Sequence, residues 1–83
     1  MNFQIHKETF EVGIRGTVAG TPLSTGLDGT GQLCVWFRTD GISHTCLLIG
    51  TGGSIPDDMC EFLGSVTDRR FVWHCFVGIG AEV

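Results

Sequence analysis

Eighty-three residues, 42% hydrophobic and 17% charged, make one domain's worth of chain; neither a multi-domain enzyme nor a disordered protein is expected. The formal net charge is −4, from five Lys and Arg against nine Asp and Glu. That balance provides no basic stripe to displace counterions, so no nucleic-acid partner is expected, and nine scattered carboxylates fall short of a DNA mimic.

Residue usage favours strands. Val, Ile and Thr number 22, six Phe and two Trp add to them, and Ala occurs only twice. Thirteen glycines punctuate the chain at short intervals, as hairpins require. In chain order, Asn2–Phe10 reads as a first strand, and Val12–Val18 as a second, broken by glycine. Thr21–Leu27 alternates weakly, and Asp28-Gly29-Thr30-Gly31 turns it into a strand from Leu33. Asp40-Gly41 is the clearest turn signal, because Asp-Gly suits a two-residue loop with positive φ at both positions. It predicts a hairpin pairing Phe37 with His44, Val35 with Cys46 and Leu33 with Leu48. Leu33, Val35, Phe37, Ile42, His44, Cys46 and Leu48 then form the core face. Cys34, Trp36, Arg38, Ser43, Thr45 and Leu47 form the other.

Gly50–Asp58 is a loop by composition, with room for one helical turn from Pro56 to Cys60. A second hairpin joins Cys60–Val66 to Phe71–Val77 around Asp68-Arg69, placing Gly64 under Trp73, Phe62 opposite Cys75 and Val66 opposite Phe71. Residues 1–83 are therefore expected to form a single all-β domain. Six to seven short antiparallel strands, with little or no helix, would close as a small barrel or sandwich.

Cys34, Cys46, Cys60 and Cys75 are spaced without a C-x-x-C pair, and each sits beside apolar residues. Reduced, buried cysteines are the expectation, with neither disulfide nor zinc. No apolar run reaches the ~20 residues of a membrane span, and no basic-then-apolar leader follows Met1. A cytoplasmic protein that does not engage a membrane is expected.

The chemistry-bearing residues assemble into no convincing catalytic or metal set, and no cofactor is expected. His44 and Cys46 would share a strand face, whereas the neighbours His74 and Cys75 point apart, so four zinc ligands cannot converge. The same divergence denies Cys75 a base in His74. Backbone-bonded histidines are the simpler reading. Gly50, Thr51, Gly52, Gly53 and Ser54 could form a nest of N–H groups around an anion, or simply a glycine-rich connection. Arg69 and Arg70 are the only clustered cations: either solvated turn residues or contacts to a phosphate or carboxylate.

Three segments carry a resemblance. Leu33-Cys34-Val35-Trp36-Phe37, the run Leu48–Asp58 continuing into Glu61–Val66, and Phe71–Phe76 together resemble a family of small bacteriophage-encoded proteins, a domain of unknown function. The Ile5-His6-Lys7 start is also similar. The chain departs from the family pattern at Gly53, where His is frequent, and at Val77, where Glu is frequent. The family has no assigned catalytic residues, so none is carried over. The resemblance implies a non-catalytic phage accessory protein, active in the host cytoplasm, that binds and inhibits a host defence component. A sponge for an anionic nucleotide signal, through Gly50–Ser54 with Arg69 and Arg70, is a second possibility, and a minor virion or assembly component a third. Open sheet edges in so short a chain further predict a homodimer or larger ring, with Trp36 and Leu47 as an apolar contact.

Overall fold

A computed structural model describes residues 2–59 and 61–79 of the protein. Its seven strands are β1 (Ile5–Thr9), β2 (Gly16–Val18), β3 (Thr21–Leu27), β4 (Leu33–Arg38), β5 (His44–Gly50), β6 (Glu61–Asp68) and β7 (Phe71–Ile79). All pairings are antiparallel, in a three-stranded sheet ordered β1-β4-β3 and a four-stranded sheet ordered β2-β5-β7-β6. The all-β expectation holds, and its form is a two-sheet sandwich. At one side Thr25 of β3 packs against β6, where a Cβ on Gly64 would lie 3.3 Å from its methyl carbon.

The core is the layer between the sheets. Val35 and Phe37 from β4 meet Val18, Cys46, Leu48, Cys75 and Val77 from the facing sheet. Val35, Phe37, Cys46 and Leu48 are thus buried together as expected, but by facing one another across the sandwich rather than by pairing. The Asp40-Gly41 hairpin does not form: β4 pairs with β1 and β3, and β5 with β2 and β7. The physical reason lies in both strands' composition. Leu33–Phe37 and Cys46–Ile49 are apolar on both faces, so each is best placed at a sheet's interior with neighbours on both edges. Ile42, assigned to the core face, is 60% exposed in the connection between sheets.

That connection is a built corner. The Asp40 carboxylate accepts hydrogen bonds from Thr21 Oγ1, from Arg38 Nε at 3.1 Å and from the Ile42 N–H at 3.0 Å. Gly41 takes φ +80°, and its N–H donates to Ala19 O at 3.3 Å. Gly20 passes so close that a Cβ there would sit 1.8 Å from Arg38 O. The Asp28 turn has a similar device, one carboxylate oxygen accepting from the Thr30 N–H, the Thr30 hydroxyl and the Gln32 N–H.

The second hairpin forms with its loop moved by one residue. Asp68 pairs with Phe71, leaving Arg69-Arg70 as the turn. Val66 then faces Trp73 and Gly64 faces Cys75, and a bulge at Leu63 sets Phe62 opposite Phe76. Trp73 does cover a strand glycine, but on β5: a Cβ on Gly50 would come within 3.0 Å of its ring. Trp36 and Leu47 lie on opposite outer faces of the sandwich, so they cannot form the single apolar contact expected of them. Leu47 is itself buried.

Cys34, Cys46 and Cys75 are buried and unbridged, in keeping with their apolar neighbours; Cys60 lies outside the described residues. The contact with Cys75 and then burial push the Cys46 thiol up.

Candidate functional site

The outer face of the four-stranded sheet is partly roofed by its own connection. After β5 the chain turns at Thr51-Gly52, where Gly52 takes φ +96° and the Gly53 N–H donates to Gly50 O at 2.9 Å. A Cβ on Gly53 would lie 2.5 Å from the Ile49 side chain, so the loop lies flat on β5. The chain then runs back over the sheet to Pro56, whose carbonyl accepts from the Met59 N–H at 3.0 Å in place of a helix. Met59 is fully buried, receiving the Thr45 hydroxyl at 3.3 Å. Its seat depends on Gly78, where a Cβ would lie 2.3 Å from Asp58 O. Arg15 anchors this roof from the other end of the chain through a two-pronged pair with Asp58 at 2.6 and 2.9 Å.

Where the roof stops, a cleft of about 190 Å³ opens, lined by residues 49–53, Ile55, His74 and Phe76. His74 is its polar centre. Ser65 Oγ lies 2.8 Å from Nδ1 and Thr51 Oγ1 lies 2.9 Å from Nε2. In the neutral imidazole one ring nitrogen donates to a hydroxyl and the other accepts from one. Neither meets a carboxylate, so the orienting acid of a nucleophilic triad is not built into this trio. The trio can instead offer hydroxyl donors and acceptors at the rim of an apolar floor. Beside it Phe62 is 57% exposed and packs against Phe76, centroids 5.5 Å apart at 56°. Val72 and Ile55 are also exposed.

Of the residues singled out from sequence, Gly50, Thr51, Gly52 and Gly53 line this cleft, while Ser54 is exposed beyond the turn. Arg69 and Arg70 are exposed at the hairpin tip. The register sets Gly50 opposite Trp73, so tip and loop share one end of the sheet, but neither arginine lines the cleft. The Gly53 N–H is already engaged within the turn and is not offered outward as the nest reading requires. His44 Nδ1 lies 2.9 Å from Gly20 O and 2.8 Å from Ile42 O, the backbone-bonded histidine expected. Among the described residues no three His, Cys, Asp or Glu side chains converge as a metal site.

The partners of His74 are not legible in the sequence. The one-residue error in the hairpin loop put Ser65 opposite Val72 instead of His74 and so hid the trio. Comparison with protein-family models, curated proteins and solved structures gave no match.

Proposed function

We propose that the protein is a non-catalytic bacteriophage accessory protein, acting in the host cytoplasm by binding a host protein, a defence component, and blocking it. The observation that carries the binding role is the exposed apolar surface of Phe62, Val72 and Ile55, with half-buried Phe76 beneath Phe62, around the Ser65–His74–Thr51 trio. Aromatic side chains around a few polar groups are the composition of a protein-binding surface. The phage and defence elements rest on the resemblance of Leu33–Phe37, Leu48–Asp58, Glu61–Val66 and Phe71–Phe76 to the phage family.

A protein partner suits this surface better than a nucleotide. The cleft's 190 Å³ is below the roughly 300–1,000 Å³ of small-molecule sites, and the Gly53 N–H is not free for a phosphate. The test compares wild type with a Phe62→Ser/Val72→Ser variant, expressed in a host whose defence restricts a reporter phage. Wild type should restore plating and co-purify with a defence protein, and the variant should lose both while melting within a few degrees of wild type. Full rescue by the variant would remove this surface from the function. Tight calorimetric binding of a cyclic or linear nucleotide to wild type would replace the protein partner with the sponge.

A further inference from the structure

The strand β1 is exposed along its whole length and sits at the end of its sheet. The Phe10 N–H donates to Leu33 O and the Thr39 N–H to Gln4 O, both at 2.9 Å. Even-numbered residues of this strand therefore bond to β4, and Ile5, Lys7 and Thr9 turn their N–H and C=O groups away from the sheet. Edge strands are usually blunted by proline, a bulge or a cover. Ile-His-Lys-Glu-Thr contains no proline, its register with β4 is unbroken, and no described strand pairs beyond it. Lys7, one of two charged residues on the strand, is turned onto the outer face of the sheet, where its ammonium pairs with Asp28 at 3.1 Å.

We propose that this edge is a dimerisation strand: β1 of two copies pairs antiparallel about Lys7, joining two three-stranded sheets into one continuous six-stranded sheet. Side-chain pairing selects both the occupant and the register. A two-fold axis perpendicular to the sheet brings residues of the same face opposite each other, so the axis passes through His6, Lys7 or Glu8. Centring on Glu8 sets two carboxylates face to face, and centring on His6 stacks two imidazoles. Centring on Lys7 pairs His6 with Glu8 of the second copy, twice, and Ile5 with Thr9. Ile5, 67% exposed in the single chain, gains a β-branched neighbour. The two Lys7 side chains meet at the axis with each charge already held by Asp28. The outward N–H and C=O groups of residues 5, 7 and 9 bond across the axis in the same register.

Sedimentation equilibrium on the full chain tests this directly. Wild type should sediment at twice its 9.0 kDa chain mass at micromolar concentration. Lys7→Pro removes an outward N–H without touching a bond to β4, and should sediment as a monomer with an unchanged circular dichroism spectrum. Glu8→Lys is exposed and keeps the strand intact; setting Lys against His6 twice, it should weaken the dimer about tenfold. Adding His6→Glu to Glu8→Lys sets Glu against Lys twice and should restore association. A wild type that stays monomeric at high micromolar concentration overturns the proposal and leaves the edge to a strand of another protein. A charge-reversed pair that fails to recover overturns the Lys7-centred register.

Discussion

The connection from β4 to β5 and the connection from β6 to β7 both place an Asp beside a short turn between apolar strands, yet one joins two sheets and the other closes a hairpin. At the first, Asp40 is only 4% exposed in its side chain and is used as a hub, binding Thr21, Arg38 and the Ile42 N–H. Those bonds hold the corner against β3 and steer β5 under the sheet instead of beside it. At the second, Asp68 simply pairs with Phe71, and Arg69 enters the left-handed region at φ +61° to close the loop. The lesson concerns what a turn residue specifies: it permits a reversal of the chain, while the neighbours decide where the returning strand finds its partner.

The two turns differ most in the phenylalanines that flank them. Phe37 enters the inter-sheet core just before the corner, whereas Phe71, 55% exposed, stacks on Trp73 just after the tip. Phe37→Ala should cost about 3–5 kcal/mol in urea unfolding, and Phe71→Ala less than about 1 kcal/mol. Equal losses would mean that the tip is as much a part of the core as the corner.

A smaller effect concerns the corner at Asp40 and its dependence on pH. Hydrogen bonds from Thr21, then Ile42, with Arg38 beside them, lower the Asp40 carboxyl from its ordinary value to about 2. Because the folded-state value is depressed, its contribution is fully present above the unfolded value of ~3.9 and is lost as pH falls through about 2. Urea midpoints measured from pH 6 to pH 2 should therefore fall more steeply for wild type than for Asp40→Asn, the two curves converging at the acid end. Parallel curves would show that the corner does not depend on the charged hub.

The smallest expected effect is a gain at the tip. Arg69→Gly removes the left-handed penalty of a side chain at φ +61°, offset in part by the added freedom of the unfolded chain. Thermal unfolding should show stabilisation of up to about 1 kcal/mol, and a loss would mean that the Arg69 side chain makes a contact worth more than its strain.

Much of the candidate site was legible only in part. The Gly50–Ser54 loop stood out by composition, and the structure does place most of it at a cleft. The importance of His74 was invisible because its hydroxyl partners come from Ser65, across a hairpin whose pairing is shifted by two residues from the expected one, and from Thr51, on a loop folded back over the sheet. A strand's side chains alternate with period two, so a small register error re-pairs every cross-strand neighbour. The exposed Phe62 was likewise misplaced by the bulge at Leu63, which reverses the facing of everything before it on β6.

Local chemistry determined by itself that this chain is all-β and roughly where its strands lie. Those properties follow from β-branched content, glycine spacing and alternation, which act over a few neighbouring residues. Only the tertiary structure decided which strands pair, which face of Trp36 or Leu47 is covered, and that Met59 and Gly78 close a roof over β5. Strand partners lie far apart in sequence and are chosen by the burial of both faces and both edges at once. Leu33–Phe37 and Cys46–Ile49 could satisfy that demand only as the interiors of two facing sheets.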